Sequence, residues 1–290
     1  MSYVLGVWRL TPTFVRAVLV GFVVLGAASF VWELLFQMNL ARGVAWPWSL
    51  PIMGAYLSAY LLYLDGHGWP RSTSVARRSG LRLRGISGAT WLWSLVGGFA
   101  ALLAWQVGVR LLGRLVELPP DDVELPPELR ALPASTVLPL LYMTSLVAGV
   151  SEEAAFRGYM QGALERRHGV VIAIAVTGVC FGLAHFTHGW MGLALMPAFL
   201  FASLVYGAMT YLSGSVLPAM VLHAAGDVLA FSLIWWNLMP ERAPLVSESG
   251  LDSGVLRLAV ELGASAVVAV VGFRKLLGLA RSAVPSVGPA

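Results

Sequence analysis

The sequence predicts an all-α protein, a polytopic bundle of about eight transmembrane helices. Hydrophobic residues make up 58% of the 290 residues, and the mean hydropathy is +0.77. Charged residues make up only 12%, about half of their share in soluble domains. The apolar residues are also grouped into eight segments, and a helix needs about 20 such residues to cross a bilayer. A lipid-embedded chain is the direct interpretation of these three observations.

The eight segments predict the helices one by one. The fourth is unusually long, and it spans the membrane only if a charged motif lies within it. We expect the helices at residues 14–36, 46–64, 90–110, 136–164, 170–186, 190–212, 216–239 and 258–279.

The loops between the segments predict the orientation. The loop WPRSTSVARRSGLRLRG holds five arginines and no acid, whereas PPDDVELPPEL and ERAPLVSESGLD on the other face are acid-rich. Because cytoplasmic loops are enriched in Lys and Arg, we expect both termini in the cytoplasm and the chain in the cell membrane. The start MSYVLGVWRLTPTF does not match a cleavable signal peptide, and no lipid-attachment motif is found.

We expect a single membrane domain with three parts. Residues 1–135 hold the first helices and their loops, residues 136–235 hold a polar core, and residues 236–290 hold a last helix and a tail. Cys180 is the only cysteine, so an intramolecular disulfide is excluded. The expected partners are the lipid bilayer and a membrane-associated protein or peptide, with no nucleic acid.

Ionisable residues inside apolar segments are costly, and each therefore marks a candidate functional position. They cluster in the second half of the chain, in SEEAAFRG of the fourth segment, CFGLAHF of the fifth and VLHAAGDV of the seventh. The candidates are Glu152, Glu153, Arg157, His185, His223 and Asp227.

Helical spacing separates supporting residues from reactive ones. Glu153 precedes Arg157 by four residues, the favourable order for a helical ion pair, so we expect this pair to support the site. Glu152 lies about 100° further around the helix and points elsewhere. His223 and Asp227 share one face of the seventh segment. At about 1.5 Å per residue, the helices bring Glu152, His185, His223 and Asp227 to overlapping depths.

This set of side chains predicts hydrolysis. A carboxylate and an imidazole, Glu152 and His185, can remove a proton from water. A second imidazole, His223, and the polar side chain at Asp227 can stabilise an oxyanion. The same four residues could instead hold a divalent metal such as zinc, although the H-E-x-x-H motif is absent. The cofactor therefore stays open. A serine mechanism is weak, because Ser151 lacks the G-x-S-x-G context.

Three motifs resemble one known family. SEEAAFRG resembles the E-E-x-x-x-R motif of the CPBP family of CAAX proteases and bacteriocin-processing enzymes (also called ABI), and CFGLAHF resembles its F-x-x-x-H motif. GSVLPAMVLHAAGD resembles its last motif, in which a His precedes an Asn, or less often an Asp, by four residues. The order and gaps fit, over roughly residues 136–235.

The resemblance implies an α-helical intramembrane endopeptidase of the prenyl-protein-processing type. It implies that Glu152 is the catalytic glutamate, that His185 helps to activate water, and that His223 and position 227 stabilise the oxyanion. Position 227 departs from the usual Asn. An ionised Asp227 cannot donate a hydrogen bond, so it is protonated, orients His223, or binds a metal.

Two other functions remain open from the sequence. A non-catalytic scaffold or bacteriocin-immunity-type binding protein would use the same residues as a structural polar network. Ion or proton transport also places carboxylates and histidines in membranes, but the repeated halves of many transporters are not found here.

Overall fold

The structure is a computed structural model that describes residues 10–41, 46–118, 125–188, 195–239 and 243–282. Within these ranges all regular elements are helical and no strand is present. The all-α prediction is confirmed.

Ten helices are labelled here in chain order, together with a π-helical segment, Glu153–Met160, between α5 and α6; two one-turn helices, Pro127–Arg130 and Val246–Ser249, are left unlabelled. The labelled helices are α1 Thr13–Ala41, α2 Ser49–Leu64, α3 Ser74–Leu81, α4 Gly88–Leu115, α5 Ala134–Glu152, α6 Gln161–His168, α7 Val170–Ala184, α8 Met196–Ser213, α9 Leu217–Trp235 and α10 Ser253–Ser282.

Six helices of the described ranges are long and apolar enough to cross a membrane. They are α1, α4, the continuous helix Ala134–His168, α8, α9 and α10. All eight predicted segments are helical, but α2 has 16 residues and α7 has 15. At 1.5 Å per residue both are shorter than a bilayer core of about 30 Å. The predicted number of about eight spans is therefore approximate.

The fourth predicted segment does contain its charged motif, with a change of helix type. Ala134–His168 runs for 35 residues, and Glu153–Met160 within it is π-helical. A π-helix bonds each residue to the one five positions away instead of four, and such segments are frequent at functional sites. The sequence analysis assumed α-helical geometry here. Seven of the eight π-helical residues are buried, so this segment lies at the centre of the bundle.

Several helix boundaries differ from the predicted ones, among them those of the fifth and sixth segments. The fifth segment leaves the α-helix at Ala184 and continues as the 3₁₀ turn His185–His188. The sixth begins at Met196 rather than at 190, and residues 189–194 lie outside the described ranges. The one-turn helix Pro127–Arg130 lies in the acid-rich loop PPDDVELPPEL and just after it, and residues 119–124 of this loop are not described.

Small residues set how closely the helices pack. A Cβ atom on Gly272 of α10 would lie 2.6 Å from the Cα of Gly97 in α4. A Cβ on Gly21 of α1 would lie 2.7 Å from Cε of Met160 in the π-helical segment. Because real Cβ atoms do not come this close to backbone atoms, the packing of α4 on α10 depends on glycine, whereas the terminal methyl group of Met160 could move away from a Cβ at position 21.

Polar side chains join the helices across the bundle. Trp32 Nε1 of α1 donates to Thr144 Oγ1 of α5 at 2.9 Å, and Gln161 Nε2 of α6 donates to the Gly207 carbonyl of α8 at 3.0 Å. Arg130 donates to the carbonyls of Ile234 and Trp235 at 2.8 and 2.6 Å. The last contacts satisfy carbonyls that a helix end leaves unpaired, and they hold the C-terminal end of α9.

Candidate active site

A close helix crossing brings α5 and α9 together at the candidate site. A Cβ on Gly149 would lie 2.8 Å from both Cβ and the backbone nitrogen of Ala224, and 2.9 Å from the Met220 carbonyl. Gly149 precedes Glu152 by three residues, and Ala224 directly follows His223. The missing side chain at Gly149 therefore allows a carboxylate of one helix to approach an imidazole of the other.

Three ionisable side chains meet at this crossing. Nε2 of His223 lies 3.9 Å from Oε2 of Glu152 and 3.6 Å from Oδ2 of Asp227. Both distances exceed a hydrogen bond and are of the size that a water molecule can bridge. The His223 side chain is 8% exposed, that of Glu152 17% and that of Asp227 35%. The cluster is thus nearly enclosed, with Asp227 at its open side.

Glu153 holds the other nitrogen of the same imidazole. Its Oε1 lies 2.8 Å from Nδ1 of His223 and 3.1 Å from NH1 of Arg157. A carboxylate oxygen can only accept a hydrogen bond, so Nδ1 of His223 carries the proton. Nε2 is thereby turned toward Glu152 and Asp227. Glu153 therefore contacts both its predicted partner Arg157 and His223, a contact that the sequence analysis did not predict.

Arg157 lies in an aromatic surrounding. Its guanidinium carbon is 4.5 Å from the ring centroid of Phe181, 5.1 Å from that of Tyr206 and 5.8 Å from that of Phe156. Its side chain is 0% exposed, and its nitrogens have no hydrogen-bond partner among the described residues. Ring faces attract cations, so three aromatic residues and Glu153 together stabilise this buried charge.

His185 lies next to this cluster, at the start of the turn that follows α7. Its Nδ1 is 2.8 Å from the Phe181 carbonyl, which can only accept, so Nδ1 carries the proton. In the neutral ring Nε2 is then a hydrogen-bond acceptor. The ring of Phe181 is the common neighbour of both imidazoles, 4.8 Å from His185 and 6.0 Å from His223 between centroids.

The metal alternative has a geometric test. In the part of the chain that the structure describes, no group of three His, Cys, Asp or Glu side chains is arranged to hold a metal ion. The reaction proposed for Glu152, His185, His223 and Asp227 is accordingly written without a metal.

Two further side chains of the site, both in α8, are absent from the candidates that the sequence offered. Phe199 stacks on His185 and Tyr206 stacks on His223. Their spacing of seven residues was the available signal. Glu33 and Glu261 also lie in membrane helices. Glu33 accepts from Gln37, and Glu261 pairs with Arg257, each within its own helix.

One protein family matches the segment that contains Glu152, Glu153, His185, His223 and Asp227. Residues 134–229 match the family described as type II CAAX prenyl endopeptidase Rce1-like. This segment is a CPBP-family domain. None of the curated proteins and none of the solved structures compared with the chain matches it.

The CPBP match extends from the start of α5 to α9. It includes the π-helical segment and α8, and it leaves out α1 to α4 and α10. The resemblance inferred from three short motifs is confirmed by this longer match. The protein is an integral membrane protein, as its six long apolar helices and the match to a family of membrane-embedded proteases both indicate.

Proposed function

We propose that this protein is an intramembrane endopeptidase that hydrolyses a peptide bond in a membrane-associated protein or peptide tail, with Glu152 as the base. One observation carries the proposal: Oε2 of Glu152 is buried, has no hydrogen-bond partner among the described residues and lies 3.9 Å from Nε2 of His223. Buried polar atoms are normally paired. An unpaired carboxylate oxygen beside an imidazole is suited to bind a water molecule.

The reaction follows from these positions. Glu152 removes a proton from water, and the hydroxide attacks the scissile carbonyl carbon. His185, with Nε2 as an acceptor, orients that water. His223 acts as an imidazolium, whose Nε2–H donates to the oxyanion of the tetrahedral intermediate. When the carbon–nitrogen bond breaks, the proton on Glu152 passes to the leaving amine, which regenerates the carboxylate.

Asp227 has a more limited role in this proposal. It faces Nε2 of His223 at 3.6 Å, while Nδ1 is held by Glu153. An ionised Asp227 stabilises the imidazolium form of His223 by its charge, and it donates no hydrogen bond to the oxyanion. The imidazolium thus supplies the donor that an Asn at this position would otherwise share.

The substrate class proposed is a prenylated protein or peptide with a C-terminal CAAX sequence, since the matched family is described by that activity. We place the protein in the cell membrane with both termini in the cytoplasm. This orientation rests on the charge of the loops. Exposed arginines lie between α2 and α4, at Arg71, Arg78 and Arg84, and cytoplasmic loops are enriched in basic residues.

The test compares Glu152→Gln with Glu261→Gln, the same change in another membrane helix where the acid pairs within its own helix. Each protein is reconstituted in liposomes with a farnesylated CAAX peptide and with an unprenylated, lipid-tethered peptide, and products are identified by mass spectrometry. Loss of a general base lowers the rate by about 100-fold or more. Glu261→Gln is expected to cleave at the wild-type rate.

The same pair of variants is compared in cells by mass spectrometry of the C-terminal peptides of membrane proteins. We expect tails that are processed with the wild type and remain intact with Glu152→Gln. Cleavage by Glu152→Gln at the wild-type rate contradicts the mechanism. Identical tails in cells that express the two proteins contradict the protease function and favour the scaffold.

A further inference from the structure

Helix α8 presents two aromatic rings to the candidate site. The ring of Phe199 stacks on His185 with centroids 4.1 Å apart and planes inclined by 26°. The ring of Tyr206 stacks on His223 with centroids 5.1 Å apart and planes inclined by 10°. Seven residues make about two turns of an α-helix, so both rings project from one face of α8. One helix therefore lays a flat ring against each imidazole.

Glycines of α7 allow α8 to come this close. A Cβ on Gly178 would lie 3.3 Å from Oγ of Ser203, and a Cβ on Gly182 would overlap the sulfur of Met196. These contacts flank Phe199 along α8. The aromatic face of α8 is therefore pressed against the end of α7, where His185 begins its turn.

Each imidazole donates a hydrogen bond through Nδ1. Nδ1 of His185 bonds to the Phe181 carbonyl, and Nδ1 of His223 bonds to Glu153. A hydrogen bond at Nδ1 fixes that atom but does not define the plane of the ring, and a tilt of the plane moves Nε2 on the opposite side. A ring stacked on the imidazole face limits that tilt, and misplacing a reacting group by 1 Å can cost about 100-fold in rate.

We propose that Phe199 and Tyr206 are positioning residues that fix the ring planes of His185 and His223, so that both Nε2 atoms face the scissile bond. The proposal rests on the proposed function. Tyr206 has a second contact in this arrangement, because its ring is 5.1 Å from the guanidinium carbon of Arg157. Tyr206 thus contacts both Arg157 and the imidazole of His223, which donates to the oxyanion.

The test uses leucine substitutions on one helix. Phe199→Leu and Tyr206→Leu remove a stacked ring at the site. Phe201→Leu is the matched control, because Phe201 is on the same helix and stacks on Trp105 at 4.9 Å instead. Tyr206→Phe keeps the ring and loses only the hydroxyl. Steady-state kcat and KM are measured on the peptides described above.

Loss of an aromatic stack is expected to lower kcat about tenfold in Phe199→Leu and Tyr206→Leu. We expect KM to stay within about twofold, because substrate binding is not the affected step. Tyr206→Phe and Phe201→Leu are expected to keep the wild-type kcat. Equal losses in the control, or no loss in the two site variants, overturn the proposal.

A second measurement does not need catalysis. Diethyl pyrocarbonate modifies exposed imidazoles, and the reaction at His185 is followed by peptide mass spectrometry. We expect Phe199→Leu to speed this reaction several-fold and Phe201→Leu to leave it unchanged. If Glu152→Gln is active, the proposed function fails, and the modification rate still decides the stacking. If Glu152→Gln is inactive, but the kcat and the modification rate of Phe199→Leu both match those of Phe201→Leu, only the positioning role fails.

Discussion

The buried pair of Glu153 and Arg157 gives an asymmetric prediction for stability. Both side chains are 0% exposed. Glu153→Gln removes the acid that forms an ion pair with the guanidinium, and removing one partner of a buried pair costs about 3–5 kcal/mol. Arg157→Met leaves Glu153 with a second partner, His223 at 2.8 Å. The loss in Arg157→Met is therefore smaller, about 1–3 kcal/mol.

The double variant Glu153→Gln/Arg157→Met removes both charges at once. Replacing a buried pair by uncharged residues of similar volume is often neutral, so the double variant is expected to recover most of the stability that Glu153→Gln loses. The glutamine oxygen can still accept from Nδ1 of His223. The predicted order of stability is wild type and double variant first, then Arg157→Met, then Glu153→Gln.

Thermal unfolding of the detergent-solubilised proteins, followed by tryptophan fluorescence, measures these differences. At about 2–4 °C per kcal/mol, Glu153→Gln lowers the midpoint by roughly 6–20 °C. Purely additive effects in the double variant would contradict a direct interaction of the two charges. Equal midpoints for the two single variants would refute the idea that Glu153 is shared between Arg157 and His223.

Three other predictions concern helix packing, topology and pH. Gly149→Ala should separate α5 from α9, lower the free energy of unfolding by about 1–3 kcal/mol and lower the rate of proteolysis. In Gly226→Ala the added Cβ meets no atom within 4 Å, so stability and proteolysis should not change. Thermal unfolding and the cleavage assay measure the two effects. In a cysteine-free background, a membrane-impermeant maleimide applied to intact cells should label Ser247→Cys and not Ser72→Cys, and the reverse result contradicts the proposed orientation. The hydrogen bond from Arg114 lowers the pKa of Asp252 to about 2 in the folded protein. Because this pKa lies below that of the unfolded chain, the ionised carboxylate stabilises the fold fully above about pH 4. The stabilisation is lost as the pH falls through about 2. The thermal midpoint of Asp252→Asn should therefore lack this acid-dependent decrease.

The sequence was sufficient for the fold class and for selecting ionisable residues that lie together inside the bundle. Apolar segments of sufficient length must be helical in lipid, because no other open structure satisfies the backbone there. The same cost of burying charge singled out Glu152, His223 and Asp227, and the structure brings the two carboxylates within 3.6–3.9 Å of Nε2 of His223. These inferences need only composition and local spacing.

The contacts between helices were decided only by the tertiary structure. That Glu153 bonds to His223, 70 residues away, depends on the crossing at Gly149, and helical spacing within one segment cannot reveal it. Likewise, the positions of Phe199 and Tyr206 fit the pattern of any apolar helix, and only the packing of α8 shows that their rings lie on the imidazoles. Local periodicity determines on which face of a helix a residue lies, whereas the packing of all helices together determines what that face contacts.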